Sequence, residues 1–136
     1  MISIAEISGI KSFFMRGKTV DGLGTTQNST PTAQQLIDGV VTQTGATGAG
    51  TVTLPTGAQV SSKLLSNPNT TGVVVGDSFE TLFANLGGSE TLTITAPSDS
   101  SITIIGTAAI GTGKNASLLF VNTGVNTWNC YVVVSA

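Results

Sequence analysis

Residues 127–134 read TWNCYVVV. In an extended chain successive side chains point to opposite faces, so Trp128, Cys130, Val132 and Val134 share one side. The same period of two returns in ETLTITAP, where Leu92, Ile94 and Ala96 alternate with threonines, and in DSFETLFANL, where Phe79, Thr81 and Phe83 align. SITIIG and ASLLFV continue the series, and turn formers recur about every ten residues between the runs. A chain punctuated in this way is expected to fold as an all-β module, an antiparallel β-sandwich of jelly-roll-like type with about eight strands. Period two assigns Phe79, Phe83, Leu92, Ile94, Ile104, Phe120, Trp128 and Val132 to its core.

Two short helices interrupt the pattern. Thr30-Pro31 offers a cap and a first-turn proline for a helix through TAQQLID that turns Leu36 and Ile37 inward and stops at Gly39. In TGAQVSSKLLS, Val60 and Leu64 lie four apart with Gln59 and Lys63 turned outward. Between the helices, GVVTQTGATGAGTVTLP reads as two strands joined by a glycine-rich loop, with Val52 and Leu54 on one face. The 136 residues make one domain, enough for a single core. Residues 1–30, ending in the small polar stretch GLGTTQNST, form an N-terminal arm and flexible connection, and residues 31–136 form the β domain.

The turn IGTGKN (110–115) resembles the start of a phosphate-binding loop and fails as one. The G-x-x-x-x-G-K-[ST] pattern puts backbone amides around phosphates and a hydroxyl on the metal. Five residues before Gly113 stands Ala108, and Asn115 follows Lys114. The segment after it, ASLLFV, is a strand rather than the helix whose N-terminus would support an anion. The turn is therefore a β-connection, with Gly111 and Gly113 supplying unusual backbone angles.

Other chemistry is equally thin. The chain has no histidine and one cysteine, which removes the commonest general base, every Ser-His or Cys-His arrangement and any internal disulfide. Cys130 reads as a packed small hydrophobe. The carboxylates Asp77, Glu80, Glu90 and Asp99 form no recognisable acid-base pair or calcium loop, and Asp77 and Glu80 read as a solvated strand edge. The sequons at Asn28, Asn69 and Asn115 are the chance matches of a Thr- and Asn-rich chain. No catalytic residue, cofactor or metal site is assigned, and the expected protein is not an enzyme.

Charge is scarce and uneven. Charged residues make up 9% of the chain, against about 25% in an average soluble domain. Lys11, Arg16 and Lys18 face only Glu6 in the first twenty residues, while the remainder carries two lysines against six carboxylates. That acidic remainder argues against a nucleic-acid partner. No stretch approaches the roughly 18 apolar residues of a membrane span. The N-terminal segment does not have the charge-then-apolar order of a signal peptide. Ile4, Ile7, Ile10 and Phe14 recur at spacings of three and four, so a short helix would gather them on one face. With Phe13, Lys11, Arg16 and Lys18 they are the expected docking residues of an arm. The competing reading makes the segment a strand folded back on the domain, with Ile2 and Ile4 inward.

TVTLPTGAQV, VGDSFETLFANLG, ETLTITAPSDSSITIIGT and ASLLFVNTGVNTWNCYVV occur in an order that resembles a group of small virion surface proteins of tailed phages. The shared pattern is a Thr-Leu-Pro strand, a Gly-Asp-Ser-Phe strand start, an alternating pair, and a terminal hairpin reading F-x-N-T-x-x-x-T-W-x-x-Y. It covers about residues 40–135 and is structural, not catalytic. The resemblance implies a β-sandwich or jelly-roll-like module that decorates or cements a capsid, often as a trimer, and sometimes forms part of a fibre.

The expected function is therefore a capsid decoration protein. It would be made in the host cytoplasm, sit on the capsid surface, and contact the major capsid protein and further copies of itself. Strand edges with few guarding charges fit a homo-oligomer, expected to be a trimer. The alternative is a receptor-binding or adhesive tip of a fibre or tail. Such a tip is expected to follow a shaft or docking repeat, for which 136 residues starting at Met1 leave little room.

Overall fold

A computed structural model describes residues 18–24, 27–44, 48–66, 72–87 and 90–136. In chain order the elements are β1 (Thr19–Gly22), α1 (Ala33–Asp38), β2 (Gly39–Gln43), β3 (Gly50–Thr53), α2 (Gly57–Leu65), β4 (Ser78–Asn85), β5 (Leu92–Thr95), β6 (Ile102–Gly106), β7 (Ala109–Ile110), β8 (Asn115–Gly124) and β9 (Thr127–Val134). Among the described residues the fold is mostly β, with two helices. Neither helix is long and apolar enough to cross a membrane.

Both helices start by the same local device. Thr32 caps α1 and Thr56 caps α2; each hydroxyl accepts from the backbone N–H three residues on, and Gln35 or Gln59 reaches back to the cap's own N–H. These reciprocal bonds satisfy two of the amides that a helix start leaves bare. The cap of α1 is Thr32, not the expected Thr30, because only Thr32 has Gln at the third following position. Gly39 ends α1 as foreseen, at φ +100°, a left-handed conformation that glycine adopts without steric cost.

The strands form a six-stranded sheet in the order β1-β2-β4-β8-β9-β6 and a three-stranded sheet in the order β3-β5-β7. Pairing is mixed, which corrects the expectation of an antiparallel fold. β4–β8, β8–β9 and β5–β7 are antiparallel, whereas β1–β2, β2–β4, β3–β5 and β6–β9 are parallel. Parallel neighbours need long crossovers, and the chain supplies them: α1 lies between β1 and β2, and β3 with α2 between β2 and β4. Nine strands, not eight, are present among the described residues.

Inward positions of both sheets and of both helices feed one apolar cluster. Phe79 stacks on Phe120 with centroids 4.7 Å apart and meets the edge of Trp128 at 5.7 Å. The Trp128 indole donates to the buried Ser61 hydroxyl of α2 at 3.1 Å, so the ring's one polar atom is satisfied. Seven of the eight expected core residues are buried; in β6 that place belongs to Ile102, with Ile104 half-buried against the cluster. Gly57 seats α2 against the β8–β9 turn, where an added Cβ would strike the carbonyl of Asn126.

Three polar segments are more firmly held than expected. Residues 19–24 and 27–30 fall within the expected arm and flexible connection, yet β1 pairs along β2, and Ser29 donates its N–H to the carbonyl of Thr51 while its own carbonyl accepts from Thr53. Asp77 is buried rather than solvated. Its Oδ2 accepts from Val74 N–H at 2.9 Å and closes the turn before β4, while Oδ1 has no partner. Ser101 donates its hydroxyl and its N–H to Asp99 Oδ1, holding that exposed carboxyl below its usual range.

Candidate functional site

The 110–115 turn has a structural explanation. Gly113, at φ +70°, donates its N–H to the carbonyl of Asn85, and Asn85 N–H donates to the carbonyl of Lys114. The buried Asn85 amide also donates to Glu90 and Ile110 carbonyls at 2.7 and 3.0 Å. Gly111 does not have a positive φ. The turn thus leads β7 into β8, as the sequence suggests, and the amides of Gly113, Lys114 and Asn115 are engaged within the fold.

Titratable groups are dispersed: among the described residues no three His, Cys, Asp or Glu side chains gather as metal ligands would. Burial pushes the Cys130 thiol up to about 12, so it packs as a neutral group. One pair of carboxyls does meet, Asp21 of β1 and Asp38 at the end of α1. Burial first, and then the hydrogen bond and charge of Asp38, hold Asp21 above the ordinary carboxylate range. Gln34 supports the pair by donating to Asp38 Oδ1 at 2.6 Å.

A groove of about 690 Å³ runs between the starts of the two helices, lined by Pro31, Thr32, Gln34, Pro55, Gln59 and Lys63 among others. It is the product of an internal echo, Pro31-Thr32-x-x-Gln35 and Pro55-Thr56-x-x-Gln59. Its walls hold one cation and otherwise neutral side chains, and the capping boxes already engage amides that could have faced a ligand.

A further surface, with no polar chemistry to account for it, is the outer side of the six-stranded sheet. Registered across it, Val20, Val40, Leu82, Ser117 and Val133 form one row, and Glu80, Leu119, Tyr131 and Ile105 a second. Val133 is 69% exposed and Val20 66%, while Leu82, Ile105 and Tyr131 each keep about two-fifths of their surface in solvent. Glu80 is the one charged residue among the outward positions of the six strands, and Ser117 donates to its carboxylate at 2.8 Å. The two rows make a contiguous, nearly chargeless apolar patch, the chemistry expected of a contact surface. The sequence carries only a faint signal of this face, in the middle residue of VVV in β9 and of TLF in β4.

Of the expected docking residues, Ile4, Ile7, Ile10, Lys11, Phe13, Phe14 and Arg16 lie outside the described residues. Lys18 is placed directly before β1. Its aliphatic stem crosses Gly39 and its ammonium donates to the Glu80 carbonyl at 2.9 Å. The N-terminal segment therefore joins the molecule beside the exposed face. No family model, curated protein or solved structure matches the chain.

Proposed function

We propose that this chain is a structural virion protein, a capsid decoration (cement) protein that binds and stabilises the assembled capsid through its N-terminal arm and through contacts between copies. The observation that carries the reading is the nearly chargeless outer face of the six-stranded sheet, which would add to the contacts of the arm and of further copies rather than form an interface alone. The order of motifs resembling small phage surface proteins supports it. Edge strands β1 and β6 carry a single charge between them, Asp21, which favours further strand or edge contacts in an oligomer, here a trimer. The finer description of the fold, a β-sandwich of jelly-roll type, belongs to the same proposal. The partner is the major capsid protein, and neither nucleic acid nor membrane has a part in it.

Imaging of intact particles with the protein labelled, together with protease shaving, tests the assignment. A regular array on the capsid surface is expected. Absence from purified particles, or a position only at a tail tip, overturns it. Light scattering of the purified chain is expected to give three times the subunit mass, and a monomer at tens of micromolar removes the trimer.

A further inference from the structure

We infer that the occupant of the sheet's outer face in the free subunit is the protein's own N-terminal segment, with Ile4, Ile7, Ile10 and Phe14 laid against Val40, Leu82, Leu119, Tyr131 and Val133.

Size favours this occupant over a second copy. Six strands at about 4.8 Å spacing make a face about 24 Å across, and its two apolar rows run roughly 14 Å along the strands. That flat footprint, roughly 340 Å², is small beside the ~800 Å² of accessible surface that each partner buries in a standard interface between proteins. A helix over residues 2–14 would be about 20 Å long and about 10 Å wide, which fits the patch. Covering an apolar sheet face with a helix is also a standard way to complete a layered domain.

Position and charge agree. The chain enters the described structure at Lys18, directly before edge strand β1, and Val20 of that strand begins the first apolar row. A segment tethered at that point works at high effective concentration and needs little area to bind. It carries Lys11, Arg16 and Lys18 against Glu6, while the face presents only Glu80. Like the two seated helices, it would bring an apolar stripe to a sheet, but to the opposite side.

The inference concerns the free subunit and stands or falls independently of the capsid reading. Under that reading the sheet is the arm's resting place, and docking exchanges the sheet for a capsid subunit.

The test places a nitroxide on the full chain at Ser12→Cys, which a helix would turn away from the apolar stripe. Cys130 is buried and leaves the new thiol as the reactive one. Methyl resonances of the outward Leu82, Leu119 and Val133 are expected to be lost, while those of the inward Val52 and Leu92, across the core, persist. Phe14→Ser with Ile7→Ser in the labelled chain is expected to restore them. Loss that appears only when labelled chains are mixed with isotopically enriched, unlabelled-thiol chains would assign the face to a second copy and overturn the proposal. Outward methyls that stay sharp in every sample would overturn it as well.

Discussion

The inner and outer faces of the six-stranded sheet come from the same strands, one residue out of phase. Phe79, Phe83, Leu118, Phe120, Trp128 and Val132 point inward and are buried; Leu82, Leu119, Tyr131 and Val133 point outward and remain accessible. Both sets are apolar, so hydrophobicity does not distinguish them. Shape does. The inner set holds the large rings, which fill the space under two helices and a second sheet, and the outer set is dominated by aliphatic side chains suited to a flat contact. A sheet with two apolar faces has a core on one side and a requirement for cover on the other.

The largest expected effect separates the faces directly. Trp128→Ala removes a ring that contacts Phe79 and hydrogen-bonds Ser61, and is expected to cost about 3–5 kcal/mol in denaturant unfolding. Tyr131→Ala, on the other face, is expected to cost about 1 kcal/mol or less. Equal losses would break the distinction.

Next come the helices that make the inner face a core. Gly57→Ala drives a methyl into the Asn126 carbonyl, and is expected to lower stability by about 1–3 kcal/mol as the helix start shifts. Thr32→Ala and Thr56→Ala each delete a cap, for about 1 kcal/mol apiece. Thermal melts of the single and double variants would show whether the repeated caps act additively, as two separate seats should.

The smallest effect is at β1, the edge that borders both faces. The folded-state pKa of Asp21 is raised, so its protonated form contributes stability fully present below the ordinary carboxylate range. That contribution is lost as pH rises through the raised folded value. Amide exchange in β1, after correction for intrinsic rates, is expected to show greater protection at mildly acidic pH than at neutral pH. Asp21→Asn is expected to flatten the difference.

The strands and most of the core were legible because period two and aromatic placement act locally. Strand direction was not, since a parallel and an antiparallel partner require the same alternation; β2 beside β4 illustrates this. In β6 the phase was legible and the depth was not: Ile102 and Ile104 share a face, but only Ile102 reaches the centre of the cluster. Asp77 was misread because a carboxylate near a strand start resembles a solvated edge, while its bond to Val74 N–H exists only once the turn has closed. The outer face is illegible in the sequence for a related reason: each strand contributes one or two ordinary residues, and the patch appears only when five registers are laid side by side.

Val132 and Val133 are chain neighbours on opposite faces, 4% and 69% exposed, and together they test the central claim most directly. Each is replaced by Glu in the full chain and unfolded in denaturant. Val132→Glu buries a charge with no partner and is expected to cost upwards of about 4 kcal/mol or to prevent folding. Val133→Glu is expected to fold with a change within about 1 kcal/mol, disturbing only what covers the sheet. If Val133→Glu unfolds as fully as Val132→Glu, the outer face is core and the account of a contact surface is wrong.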